Sequence, residues 1–176
     1  MADSPLGRLI GTWEFEPLVE GRPAGRGRAT FEWIEDGVFV VERSQAEWSD
    51  PGWVENAPVS TRAVIGWDDS TDGIVQLYAD SRGVLRIYRG TLTDEAWTLE
   101  RAAPDFHQRF IGQFRDDGRR IEGRWESSPD GTAWELDFPI TYRRVAGSPS
   151  YRDQPMTSTA LSSLTEQQPR KSEERS

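Results

Sequence analysis

Apolar and polar residues trade places at every second position through most of this chain, in short runs separated by turn signals. The runs fall at about 10–17, 29–35, 38–46, 62–68, 74–80, 84–92, 96–102, 107–115, 119–127 and 132–144. Between them lie Asp36–Gly37, DDSTDG at 68–73, SRG at 81–83, DE at 94–95, Asp117–Gly118 and SPDG at 128–131. Two connections are longer, EGRPAGRGR at 20–28 and the run from Ala46 to Thr61. No helical period of useful length and no internal repeat interrupts the pattern. It predicts an all-β fold, a single antiparallel up-and-down β-barrel of about ten strands.

Turn type fixes hairpin register, and register fixes which side chains share a face. The Asp117–Gly118 turn pairs Phe114 with Ile121 and Phe110 with Trp125, and leaves Arg109 beside Glu126 on the other face. One face is apolar and the other charge-paired, so Phe110, Phe114, Ile121 and Trp125 point inward. Read as a four-residue loop, SPDG then pairs Trp125 with Trp134 and Ile121 with Phe138, which places Trp134, Leu136, Phe138 and Ile140 in the core. The DE turn pairs Leu92 with Trp97 and turns Leu99, Tyr88 and Arg101 inward with them. A three-residue SRG loop, with Gly83 left-handed, pairs Tyr78 with Arg86 and Gln76 with Tyr88.

The inward set therefore includes Gln76, Tyr78, Asp80, Arg86, Tyr88 and Arg101, while Leu77, Leu85 and Ile87 face outward. A bulge at Gly90 would reverse this parity and put the Tyr/Arg face in solvent. Strand direction gathers the polar inward residues, with Gln108, at the end that carries the two long connections. That is the layout of a barrel with one mouth.

Composition narrows the partners. With 176 residues the chain has the size of one domain, read as 6–145, and the Ser-, Pro-, Gln- and charge-rich stretch 146–176 reads as a disordered tail. A formal net charge of -9 argues against nucleic acid and anionic membranes as partners. No apolar run approaches the roughly 18 residues of a membrane helix, and MADSPLGRLI lacks the apolar core of a secretory leader. With 0 Cys as well, the expectation is a cytoplasmic protein with no disulfide and no cysteine chemistry. Lys171 is the sole lysine, so cationic sites elsewhere are guanidinium groups, suited to carboxylate or phosphate.

LIGTWEF at 9–15 resembles the Gly-x-Trp opening strand of the calycins, the lipocalin and fatty-acid-binding superfamily. Together with YADSRGV, FHQRFIGQF and GRWESSPDGTAWELDFPITYRR, the chain from 6 to 145 is similar to a group of uncharacterised bacterial lipocalin-like proteins. The resemblance implies a closed barrel end plugged by Trp13 beneath an arginine of the last strand, Arg143 or Arg144. It also implies a small hydrophobic or amphipathic ligand, with a minority of relatives being enzymes.

Three functions follow from the inward polar set. In the first, Arg86 and Arg101, with Tyr78, Tyr88, Gln76 and Gln108, hold the anionic head of a small molecule against Trp97, Phe110, Trp125 and Trp134. In the second, Tyr78, Asp80 and Tyr88 perform cofactor-free acid–base chemistry of the isomerase, cyclase or decarboxylase kind, with nearby arginines lowering a tyrosine pKa. In the third, the polar groups are an internal network and Leu77, Leu85 and Ile87 form a homodimer interface. No cofactor and no metal are expected, since the single histidine, His107, turns outward by parity. GRPAGRGR at 21–28 precedes a strand instead of opening a helix, and reads as a flexible portal loop rather than a phosphate loop.

Overall fold

A computed structural model describes residues 4–147. After a short helical turn at Pro5–Arg8 come β1 (Gly11–Val19), β2 (Arg22–Pro23), β3 (Gly25–Ile34) and β4 (Phe39–Trp48). Helix α1 (Pro51–Asn56) follows, then β5 (Ser60–Asp68), β6 (Gly73–Asp80), β7 (Leu85–Leu92), β8 (Ala96–Arg101), β9 (His107–Arg115), β10 (Arg120–Ser128) and β11 (Glu135–Arg144). Apart from β2, a two-residue return against the end of β1, each strand pairs antiparallel with the next, and β11 pairs back onto β1. The result is a closed ten-strand antiparallel barrel, the architecture expected and one consistent with a calycin-like fold. Most of the expected tail, 146–176, lies outside the described residues.

The hairpin registers follow from the turns. Asp36 and Asp117 sit left-handed at φ 56° and 54°, each followed by a left-handed glycine, a conformation that aspartate accepts more readily than most residues. They set Phe31 opposite Glu42 in one hairpin and Phe114 opposite Ile121 in the other. Gly83 is left-handed at φ 81° and the SRG loop pairs Tyr78 with Arg86. At Gly90 the ladders run unbroken to Ile74 on one side and Leu99 on the other. A Cβ there would lie 1.8 Å from the Thr98 carbonyl oxygen, so glycine serves a close backbone approach and not a bulge. Leu77, Leu85 and Ile87 accordingly face out, at 44%, 67% and 57% exposure.

Two expectations are corrected. The loop after β10 does not close at SPDG. Asp130 Oδ1 accepts from the amides of Thr132 (2.8 Å) and Ala133 (3.0 Å), and Ser128 Oγ accepts from Gly131 N (2.9 Å), which holds the chain in a turn up to Ala133. Trp125 then pairs with Phe138 and Ile121 with Tyr142, and a bulge between Trp125 and Glu126 turns Leu136 outward to 61% exposure. Trp134 leaves the core and lies on the outer wall, its ring 4.2 Å from the Arg109 guanidinium. The segment 21–28, expected as a portal loop, is mostly paired strand. A tight turn at Glu20–Gly21 leads into β2, and Gly27 in β3 makes room for the ring of Phe15, which a Cβ would approach to 2.1 Å.

The lower end is sealed. Leu6, Leu9, Ile10 and Trp13 are buried, and Trp13 Nε1 donates to the Leu9 carbonyl at 2.8 Å. Of the two arginines considered, Arg144 covers Trp13, its guanidinium 4.2 Å from the ring, and it donates to the carbonyls of Ile10 and of Arg8 (2.8 Å).

Candidate functional site

Above this plug the barrel encloses a cavity of about 390 Å³, within the size range of small-molecule sites. Its walls are mainly aromatic, with Phe15, Phe31, Trp97, Phe110, Trp125 and Tyr142 among them. Helix α1 lies at the mouth. Asp50 caps it, accepting from the amides of Gly52 (3.0 Å) and Trp53 (3.2 Å), and Pro51 opens it. Trp53 reaches from this helix to pack tilted against Trp48 at 4.9 Å and edge-on against Phe138 at 4.8 Å between ring centroids. Arg82 ties the helix end to the β6–β7 turn by donating to the Asn56 carbonyl at 3.0 Å.

The pleat places polar side chains in the cavity at three points. On β7 and β9, Gln108 Oε1 accepts from Arg86 (3.0 Å) and from the Tyr88 hydroxyl (2.7 Å). Arg86 also lies over the Phe106 ring at 5.4 Å, and among the described residues it has no carboxylate partner. Burial pushes the Tyr88 hydroxyl up despite Arg86 beside it.

On β6, the Tyr78 hydroxyl donates to Asp80 at 2.8 Å, and Asp80 is bridged by Arg82 at 2.6 Å. Burial and this bond to a carboxylate both push the Tyr78 hydroxyl far up. Burial alone would raise the Asp80 carboxyl, but the Arg82 and Tyr78 hydrogen bonds overcome it and hold the group at about 2.

The third point, on β4 and β5, is a buried carboxyl. Thr61 Oγ1 donates to Glu42 from 3.1 Å, and Ser44 Oγ lies 2.5 Å from Thr61 Oγ1. Burial pushes the Glu42 carboxyl up to about 7, with the Thr61 and Ser44 hydroxyls and the charge of Arg62 only partly opposing it. Between these points, Gln76 Oε1 and Trp97 Nε1 are buried at the cavity wall with no hydrogen-bond partner among the described residues. Such groups cost roughly 1–3 kcal/mol each unless something pairs with them.

Of the expected ligand-binding residues, Gln76, Tyr78, Arg86, Tyr88, Trp97, Gln108, Phe110 and Trp125 line one cavity. Arg101 stays outside its lining, donating to the Phe106 carbonyl at 3.4 Å, and Trp134 is on the outer wall. Asp80 stands behind Tyr78 instead of facing the cavity, and His107 packs near Gly131, where a Cβ would fall 3.3 Å from its ring. Glu42, Ser44 and Thr61 are absent from the expected set. Their signal is the Asp36–Gly37 turn, which sets Phe31 opposite Glu42 by the rule that works at Asp117–Gly118. Helix α1 hides its period in six residues, although Asp-Pro is a start signal for it.

Compared with known proteins, the chain matches no family model and no curated protein sequence. What fold and site define together is a closed β-barrel capable of enclosing a ligand.

Proposed function

We propose that the barrel binds a small, mainly apolar molecule carrying a carboxylate or similar anion, with Arg86 as its anchor. The observation that carries this reading is Arg86 itself: a cation on the wall of an aromatic cavity, with Gln108 and the Phe106 ring as its partners and no counter-charge among the described residues. An anionic head would supply that counter-charge, with a charge-assisted hydrogen bond. The apolar body would lie against Trp97, Phe110 and Trp125, and Trp97 Nε1 would gain an acceptor.

The site supports binding better than turnover by the expected acid–base set. Tyr78 and Tyr88 are both held above the ordinary phenol value, the opposite of activation. Asp80 is committed to Arg82 and Tyr78.

Titration with biphenylcarboxylate, followed by tryptophan fluorescence, tests the reading. Saturable binding is expected, weaker by about tenfold or more for Arg86→Gln and for the uncharged biphenylcarboxamide, in line with the roughly 1.5–3 kcal/mol of a bond to a charged group. Arg101→Gln, outside the lining, leaves the affinity within about twofold, well below the energy of one such bond. Equal binding of acid and amide, or an Arg86→Gln variant that binds like the parent, would overturn it.

A further inference from the structure

Glu42 poses a separate problem of chemistry. It lines the cavity with its residue 9% exposed, yet among the described residues no arginine bridges it. An ionised carboxylate offers about four acceptor positions. Thr61 has one hydroxyl proton to give, and Ser44, 2.5 Å from Thr61 Oγ1, backs that hydroxyl up. Among the described residues, no N–H hydrogen-bonds to the remaining acceptor capacity and no cation forms an ion pair with it, the charge of Arg62 acting only from farther off.

The position of this corner relative to Arg86 is fixed by the ladders. Phe31, Glu42, Ala63, Tyr78 and Arg86 form one row across β3 to β7. Three strand spacings separate Glu42 from Arg86, about 14 Å along the curved wall and less straight across. One row below, Gln76 lies between them and presents its unpartnered Oε1, a second acceptor in want of a donor.

We propose that Glu42, Thr61 and Ser44, with Gln76, form a second polar subsite that receives a hydrogen-bond donor of the ligand, a hydroxyl or an amine. Resting on the Arg86 reading above, this narrows the ligand class to compact hydroxy or amino acids with a rigid apolar body between an anionic end and a donor end. Trp97 Nε1 is left to an acceptor of the same molecule.

The groups facing Glu42 are the hydroxyls of Ser44 and Thr61, Tyr142 from β11 and the charge of Arg62 from β5. Of these, Glu42 is the one that changes charge near neutral pH. The donor preference should therefore rise as pH increases through about 7, because an ionised acceptor binds a donor more strongly than a neutral one.

Three probes separate the two subsites: biphenylcarboxylate, the same acid with a hydroxyl at the far para position, and the hydroxybiphenyl lacking the carboxylate. The phenol keeps its proton until about pH 10. In the wild-type protein the hydroxy acid should bind about tenfold more tightly than the parent acid at high pH, and the ratio should shrink toward low pH. In Glu42→Gln the ratio should be small and independent of pH, and saturable binding of the parent acid to the variant shows the cavity intact. Thr61→Val removes the donor to Glu42 and should move the midpoint of the pH response upward.

A wild-type ratio near unity at high pH, or one that persists with the same pH profile in Glu42→Gln, overturns the subsite while leaving the Arg86 reading standing if the parent acid still binds. Failure of both acids, with hydroxybiphenyl binding in a Glu42-dependent way, overturns the anion anchor and keeps the donor subsite. If none of the three binds, both fall.

Discussion

At the scale of single residues, Asp80 behind the cavity wall and Glu42 in its lining contrast an acid paired with a cation and one that is not. Asp80 has Arg82 and Tyr78 and stays ionised; Glu42 has hydroxyls and holds its proton up to about 7. That difference has a thermodynamic consequence. The folded protein keeps a proton on Glu42 that the unfolded chain releases near the ordinary value of 4.5. The unfolded state therefore binds fewer protons between about 4.5 and about 7, and stability falls as pH rises through that window. The loss attributable to Glu42 is roughly 3 kcal/mol, complete above the folded value. Urea-unfolding midpoints measured across pH should show this decline, and Glu42→Gln should flatten it. An unchanged slope in the variant would place the titration elsewhere.

Strands and turns carry most of what is legible in the sequence, and they show why the remainder is not. Where a hairpin is closed by left-handed Asp-Gly, by Gly83 or by the Asp94–Glu95 turn, the turn residues state the register, and the inward set on β6, β7 and β9 follows from them. Between β10 and β11 the register is set by side-chain oxygens, Asp130 and Ser128 holding backbone amides up to Ala133, and by a bulge at Trp125/Glu126. Neither has a spacing rule, so plain alternation puts Trp134 and Leu136 on the wrong face. β4 hides Glu42 because charged residues occupy both of its faces, Glu42 on one and Arg43 on the other. The correct parity of β6 and β7 rests on Gly90, and substitution tests it: Gly90→Ala should destabilise by on the order of 3 kcal/mol, since its Cβ meets Thr98 backbone that cannot move aside. A variant as stable as the parent in urea would mean that these strands do not approach so closely.

Over the whole molecule, the two ends divide the work. The lower end is closed by the N-terminal turn, Trp13 and Arg144, a packing arrangement with its polar atoms paired. The upper end holds Arg86 without a counter-charge among the described residues, beneath a small capped helix, and deeper in the same cavity Gln76 and Trp97 keep unpaired atoms. Polar groups left unsatisfied along the cavity of an otherwise well-paired barrel are the feature that a bound ligand would explain. The 8 tryptophans report this directly, because they divide between cavity and elsewhere. Trp48, Trp53, Trp97 and Trp125 line the cavity; Trp13 is in the plug, Trp33 packs half-buried against the core outside that lining, Trp67 is exposed and Trp134 lies on the outer wall. The most direct measurement is a titration of the protein with biphenylcarboxylate, following the indole N–H resonances by heteronuclear NMR. An Arg86-anchored ligand should give saturable shifts at Trp97 and its cavity neighbours, leave Trp13, Trp67 and Trp134 unmoved, and lose the response in Arg86→Gln. Shifts confined to Trp67 or Trp134, or cavity shifts that persist unchanged without Arg86, would contradict it.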